Sequence, residues 1–229
     1  MWKLSVFSKN LRLTKPFFEK MGAKQPEYNN VLKNMLGDVF NFVFCHPSKN
    51  QITVAQESVC ALEEMRHGGI FLTAHYGNHE LLGYKLAEFG LPLNAVAQEQ
   101  NPAFFDRWLQ KKRTFKGKCF AKKIKPQRLL KFMDNGSLLG MIADQRGRSD
   151  CAGEFLGVNV HCNPLPIFIL KHRPNTPVFC GCLRGTTLFL EKIPAQNFYA
   201  HYHSWLEALI LKNPEKWYGW FHNRFHSSL

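Results

Sequence analysis

The sequence predicts an α/β protein with one domain, in which a central mixed, largely parallel sheet is flanked by helices and preceded by an N-terminal helical segment. From residue 69 onward, short apolar runs alternate with stretches of helical spacing, which is typical of parallel strands joined by helices. The chain has 229 residues and is 45% hydrophobic, so it can bury a substantial core. No repeat or linker marks a second domain. We divide the chain into an N-terminal segment, residues 1–50, and the domain itself, residues 51–229.

The N-terminal segment, residues 1–50, contains two different patterns. Residues 1–22 mix large apolar side chains with five basic ones, and no apolar stretch approaches the roughly 20 residues that span a bilayer. This part fits either a helix lying in a membrane interface or an ordinary amphipathic surface segment. Apolar residues at three- and four-residue spacing then predict a core-facing helix over residues 31–44.

The remaining elements follow in alternation. A second helix is expected over residues 51–66, closed by Gly68 and Gly69. Apolar runs predict strands over residues 70–74, 93–97, 118–121, 138–143, 177–183 and 186–193. Helical spacing predicts helices over residues 80–89, 102–115, 126–134, 164–172 and 200–212. A turn at Arg184 and Gly185 joins the last two strands, which we therefore expect to be antiparallel.

Charge and cysteine usage restrict the possible partners. The formal charge is +13, from 30 Lys and Arg against 17 Asp and Glu, and it predicts an anionic partner: nucleic acid, an acidic membrane or an acidic carrier protein. The seven cysteines form no CxxC pair and no disulfide ladder. Reduced thiols and no metal site are the simplest interpretation.

The most informative segment is HYGNHE at residues 75–80, where an apolar strand ends on His75 and a helix begins near Glu80. Ligands bind beyond the carboxyl ends of strands in open α/β sheets. On a continuous helix the two side chains would lie about 140° apart, so they meet only if Gly77 and Asn78 form a turn. A carboxylate on one imidazole nitrogen leaves the other to take a proton, as a general base does, although a structural hydrogen bond is the alternative.

His79 complicates this motif. It is a rival base, and its spacing from His75 also suggests a metal pair, but the turn disrupts helical spacing and no third ligand follows from the sequence.

The HxxxxE motif of residues 75–80 resembles that of the bacterial lipid A biosynthesis acyltransferases, the late lauroyl and myristoyl transferases of the wider lysophospholipid acyltransferase-like group. The resemblance extends in order over residues 50–229: Arg113 with Gly117, Asp144 with Gln145, the FLG loop at 155–157, and the tail NPEKWYGWFHNRF at 213–225. The chain departs from the family pattern in its shorter length, in having His79 where the family has Trp, and in lacking the family's transmembrane anchor.

The resemblance implies a transfer of an acyl chain from a thioester to a glycolipid hydroxyl, with His75 as base and Glu80 as its partner. It also implies Arg113 as a donor to the oxyanion, beside backbone amides of the Gly77 and Asn78 turn; a phosphate contact is the alternative role for Arg113. No cofactor or metal is expected.

Further binding residues follow strand 138–143. Asp144 would fix Arg113 or a sugar hydroxyl of the acceptor, or form a buried structural ion pair. Arg146 and Arg148 would bind headgroup phosphates, or be simply solvated.

The implied partners are acyl carrier protein or acyl-CoA as donor, a phosphorylated glycolipid as acceptor, and an anionic membrane surface. The expected location is the cytoplasmic face of the bacterial inner membrane, with peripheral or monotopic attachment. A cluster of lysines near Arg113 would dock the carrier protein, and the aromatic tail would either insert at the membrane interface or pack on the core. The alternatives are a thioesterase and a basic nucleic-acid-binding module; no nucleic-acid signature and no GxSxG elbow are present.

Overall fold

The computed structural model describes residues 2–44, 47–97, 119–121, 125–147 and 151–225. The predicted helix over residues 102–115 lies outside these residues. The described helices are α1 (Trp2–Lys20), α2 (Tyr28–Phe44), α3 (Val59–Met65), α4 (His79–Glu88), α5 (Pro126–Met133), α6 (Pro164–His172) and α7 (Phe198–Lys212). Short 3-10 helices occupy Pro47–Lys49, Gln56–Ser58, Pro214–Lys216 and Tyr218–Phe221.

The strands build the mixed sheet that the sequence predicts. They are β1 (Thr53–Val54), β2 (Gly69–Thr73), β3 (Leu93–Ala97), β4 (Cys119–Ala121), β5 (Leu138–Ile142), β6 (Ala152–Phe155), β7 (Val158–His161), β8 (Val178–Arg184) and β9 (Thr187–Ile193). In the described chain, seven of them form one sheet in the order β1-β9-β8-β2-β5-β3-β4, and β6 with β7 forms a separate hairpin. Among the strands that the structure describes, only β8 and β9 pair antiparallel within the large sheet, which confirms the expected mixed topology.

The helix expected over residues 51–66 is wrong in its first half. Residues Thr53–Val54 pair with β9 instead, and the Thr53 amide donates to the Thr186 carbonyl at 2.9 Å. A 3-10 helix follows at Gln56–Ser58, and the α-helix begins only at Val59. Two β-branched residues at the free edge of the sheet gain a strand partner there, and tertiary pairing overrides the local spacing. The hairpin of β6 and β7 was not predicted at all.

Two apolar layers cover the sheet, because successive side chains of a strand point to opposite faces. Ile70 and Leu72 of β2 belong to the layer formed with α1, α7 and the C-terminal segment. Phe71 belongs to the other layer, formed with α3 and α4. Every residue of β2 is buried, as expected of a central parallel strand.

The two ends of the described chain pack together. The buried Asn10 side chain on α1 donates to the Trp220 carbonyl and the His222 carbonyl, each at 2.9 Å. The Phe7 ring contacts the Phe221 ring with 5.5 Å between centroids. Helix α1 therefore supports residues 217–225, and the aromatic tail packs on the core. Among the described helices, none has both the length and the apolar character needed to cross a membrane.

Replacement of Asn10 by Ala should lower the free energy of unfolding by about 2 kcal/mol, because one buried and one partly buried carbonyl lose their donor. Urea denaturation followed by circular dichroism measures this. Asn29→Ala is the matched control, since Asn29 is exposed on α2 and its loss should change stability by less than about 0.5 kcal/mol. Equal effects of the two substitutions would contradict this role of Asn10.

Candidate active site

The candidate site lies where two neighbouring parallel strands end. Strand β2 runs up to Thr73 and β5 up to Ile142, and these two residues are paired in the register. His75 and Asp144 each follow two residues later, so the sheet places them side by side. The Ala143 amide, which donates to the Thr73 carbonyl at 2.8 Å, keeps the two strand ends together. This is the edge of an α/β sheet at which ligands usually bind.

Asp144 holds His75 by two hydrogen bonds. Nδ1 of the His75 ring lies 2.8 Å from Oδ1 of Asp144, and the His75 amide donates to Oδ2 at 2.9 Å. The indole N–H of Trp217 donates to the same Oδ2 at 2.8 Å. Asp144 is buried, whereas the His75 side chain keeps 13% of its surface exposed. One carboxylate thus fixes both the backbone and the ring of His75.

The Asp144 carboxyl is ionised at neutral pH. Burial alone would raise its pKa, but the charge of His75 and the hydrogen bonds from His75 and Trp217 outweigh burial and hold the pKa well below its usual range. An ionised carboxylate only accepts hydrogen bonds, so Nδ1 of His75 carries the proton. In a neutral His75 ring, Nε2 is then the basic nitrogen.

The predicted turn between His75 and Glu80 is present. Gly77 has φ +57°, in the left-handed region that glycine adopts at little cost. Asn78 caps α4, since its side-chain oxygen accepts the Leu81 amide at 3.0 Å. The Gly77 amide donates to the Lys216 carbonyl at 2.8 Å, so it holds the fold together instead of facing a substrate oxyanion as the sequence suggested.

Asp144 supplies the carboxylate that binds His75 Nδ1. Sequence reasoning had assigned the role of carboxylate partner to Glu80. Glu80 lies in the first turn of α4, where its charge acts on His79. The role of Glu80 as partner of His75 stays a prediction. Asp144 was expected to fix Arg113 or a sugar hydroxyl of the acceptor, or to form a buried structural ion pair. The structure describes its pairing with His75; contacts with Arg113 or an acceptor stay a prediction.

The C-terminal segment forms one wall of the site. The Tyr218 amide donates to the His75 carbonyl at 2.7 Å, and Tyr76 and Trp217 form an antiparallel bridge. The buried Arg224 guanidinium donates to the Gln145 carbonyl at 2.6 Å and to the His161 carbonyl at 2.9 Å. Arg224 therefore fixes the loop that carries Asp144.

Three imidazole rings meet at the site. The His75 ring lies 4.9 Å from the His79 ring and 4.6 Å from the His222 ring, between centroids. Burial, with the charge of His75, lowers the pKa of His79, and the same two causes lower the pKa of His222 to about 4. Both flanking rings are therefore neutral at pH 7. In the part of the chain that the structure describes, no group of three or more His, Cys, Asp or Glu side chains is arranged to hold a metal ion.

The structure describes only some of the other predicted site residues. Arg146 is exposed two residues after Asp144, at the rim of the site. Arg113, Arg148 and most of the lysine cluster lie outside the described residues. Gln145, which sequence reasoning used for the resemblance without assigning it a role, places its side-chain amide nitrogen 3.5 Å from His75 Nε2.

Sequence reasoning also missed the roles of Trp217, His222 and Arg224. They lie more than a hundred residues from His75 along the chain, so no local spacing connects them. The available signal was the composition of the tail, which combines aromatics, His and Arg.

These features define an α/β protein with a histidine and a buried aspartate held at the carboxyl ends of adjacent parallel strands. A scan against protein-family models and a search of curated proteins both gave no match for this chain.

Stability should fall as the pH drops from about 6.5 towards 4, because the unfolded chain protonates His222 at its ordinary pKa whereas the folded chain does so only near the lowered one. The stability that the neutral His222 ring contributes is fully present above pH 6.5 and is lost as the pH approaches 4. His222→Gln should reduce this acid sensitivity by about 2 kcal/mol between pH 7 and 4.5.

Denaturation of both proteins at the two pH values measures that difference. The titrating groups that do not interact with His222 are common to the two proteins and cancel; His75, which lies against His222, is the main group that does not. Identical losses with pH in the two proteins would show that His222 titrates normally.

Proposed function

We propose that this protein is an acyltransferase that moves a fatty acyl chain from a thioester, on acyl carrier protein or coenzyme A, to a hydroxyl of a phosphorylated glycolipid such as a lipid A precursor. The observation that carries the proposal is the His75 ring held by buried Asp144 at a strand end. The HxxxxE motif at residues 75–80 supports the choice of reaction, since it resembles the lipid A acyltransferases.

In the proposed reaction, His75 Nε2 takes the proton of the acceptor hydroxyl as its oxygen attacks the thioester carbonyl. The tetrahedral intermediate then collapses, the carbon–sulfur bond breaks, and the leaving thiolate takes the proton from the His75 imidazolium. Asp144 stabilises the imidazolium and keeps the ring oriented. A general base of this kind contributes about 10²- to 10⁴-fold.

The oxyanion of the intermediate needs a donor. Arg113 keeps that proposed role by resemblance, with the Asn78 backbone amide as a second candidate. The Gln145 side-chain amide is a further donor, because it lies next to His75 Nε2.

Two features favour acyl transfer over the alternatives. An exposed and unpaired His75 would have favoured a nucleic-acid-binding module. His75 is instead largely buried and bonded to Asp144. The rings of His79 and His222 flank His75, whose side chain keeps 13% of its surface exposed. An enclosed base of this kind disfavours hydrolysis of the thioester relative to transfer.

The basic surface suits both proposed substrates. Acyl carrier protein is acidic, the glycolipid is phosphorylated, and the chain has a formal charge of +13. We propose peripheral or monotopic attachment at the cytoplasmic face of the inner membrane, where both substrates would meet.

Transfer of a labelled acyl group from acyl carrier protein to a tetraacylated, sugar-bearing lipid A precursor tests the reaction. His75→Ala should lower the rate by at least about 10²-fold. Asp144→Asn should also lower it by about 10²-fold or more, since the amide no longer fixes the tautomer or stabilises the imidazolium. Glu80→Gln compares the two carboxyl residues directly: if Asp144 alone orients His75, this variant keeps most of the activity.

His201→Ala is the matched histidine control, because His201 is exposed on α7 and should leave the rate unchanged. Release of free fatty acid without transfer would replace the proposal by a thioesterase. Inactivity of the unmodified protein on every glycolipid, together with binding to polyanions, would replace it by a binding module.

Arg146→Gln tests the binding of headgroup phosphate at the rim of the site. The substitution should raise KM for the phosphorylated acceptor several-fold with little change in kcat, because an exposed guanidinium contributes binding without touching the reacting atoms. The effect should shrink at high salt and vanish with a dephosphorylated acceptor. An equal effect on both acceptors would rule out a phosphate contact.

A further inference from the structure

Helix α2 is attached to the rest of the protein by one side. The Asn30 side chain donates to Oε1 of Glu215 at 2.8 Å, and the Asn34 side chain donates to the Glu215 carbonyl at 3.3 Å. One turn further, the Asp38 carboxylate accepts the Tyr218 hydroxyl. These residues recur every four positions and so lie along one side of the helix.

The opposite side of α2 carries four large apolar side chains that are at least half exposed. Two positions along a helix correspond to about 200°, so Leu36 points away from Asp38. Its exposed neighbours on that side complete a strip, which we call the α2 apolar strip: Leu36, Val39, Phe40 and Phe44, exposed by 56%, 50%, 60% and 72%. The Phe40 and Phe44 rings contact each other, with 4.7 Å between centroids. Exposed clusters of this kind usually mark an interaction surface.

The strip lies beside the candidate active site. The Asn78 side chain, which caps α4 in the turn after His75, donates to the Asp38 carbonyl at 3.2 Å. Asp38 also binds Tyr218, whose amide holds the His75 carbonyl. Anything that binds the strip therefore lies one helix diameter, about 10 Å, from the turn that carries the proposed base.

One basic side chain borders the strip. Exposed Lys33 stands three residues before Leu36, hence on the same side of the helix. Asp38 is the single acidic residue of α2, and its side chain lies on the side that packs against the protein, where it is bonded to Tyr218. Large apolar side chains with lysine at their border fit the interface of an anionic bilayer, where the rings enter the acyl region and the ammonium meets phosphate.

We infer that the α2 apolar strip docks the protein on an anionic phospholipid surface and sets the mouth of the active site at that surface. The choice of a lipid occupant rests on the proposed function, because a glycolipid acceptor stays in its bilayer and the enzyme must come to it. The strip presents four large apolar side chains over about 13 Å of helix, from Leu36 to Phe44. A stable dimer uses roughly 20 to 30 residues per subunit, so the strip is too small to form one by itself.

Co-sedimentation with vesicles tests the inference without any need for activity. The unmodified protein should bind vesicles of equal parts phosphatidylethanolamine and phosphatidylglycerol, and bind phosphatidylcholine vesicles more weakly. Phe40→Asp and Leu36→Asp should each weaken the partition by about tenfold or more, since each puts a charge where an apolar side chain enters the bilayer. Ile167→Asp is the matched control, because Ile167 is a similarly exposed apolar residue on α6.

Two further proteins separate this inference from the proposed function. His75→Ala should bind vesicles normally while losing acyl transfer. Phe40→Asp should keep acyl transfer to an acceptor dispersed in detergent and lose it with the acceptor in vesicles. Failure of the unmodified protein to transfer any acyl group, with vesicle binding intact, overturns only the function.

Two results would overturn the docking inference. The first is that the Phe40→Asp and Leu36→Asp variants bind vesicles as strongly as the Ile167→Asp control. The second is concentration-dependent dimerisation in analytical ultracentrifugation that Phe40→Asp abolishes, which would assign the strip to a second copy of the chain.

Discussion

The buried carboxylate of Asp144 accepts hydrogen bonds from two parts of the chain that are far apart in sequence. The amide and ring of His75 bind it from the end of β2, and the indole of Trp217 binds it from the C-terminal segment. A buried charge is costly unless it is paired and hydrogen-bonded, so the site depends on all three bonds forming together. The orientation of His75, and with it any chemistry at Nε2, follows from this one group.

The C-terminal segment is held in place by a second set of contacts. Asn10 of α1 binds two of its carbonyls, and Arg224 ties it to the Gln145 carbonyl. His203 adds a further contact to Arg224. Burial, followed by the charge of Arg224, lowers the pKa of His203 to about 3, so its ring is neutral. The Nε2 atom of that ring can therefore accept a hydrogen bond from the Arg224 guanidinium at 3.2 Å. The N-terminal helix thus contributes to the site indirectly, by supporting the wall that carries Trp217 and His222.

Helix α2 connects the candidate site, and with it the proposed function, to the exposed surface. Its polar side reaches the turn after His75, and its apolar side is bare. A protein that acts on a lipid has to bring its base to the bilayer without burying the base in it. A helix that binds the site on one side and exposes an apolar strip on the other meets that requirement, provided that the strip contacts lipid.

The sequence by itself determined the α/β class, the order of most strands and helices, and the position of His75 at a strand end, because these depend on local periodicity and on turn residues such as Gly77. It also predicted the antiparallel pair β8 and β9 from the short turn between them. Sequence reasoning did not find the strand at Thr53–Val54, which depends on a distant pairing partner. It also did not find the hairpin of β6 and β7, whose strands of four residues each are too short to show a clear period. Only the tertiary structure decided that Asp144 binds His75 and that Trp217, His222 and Arg224 surround them. Parallel strand ends meet regardless of their separation in sequence, so the contact between residues 75 and 144 follows from the strand order, which local patterns do not encode.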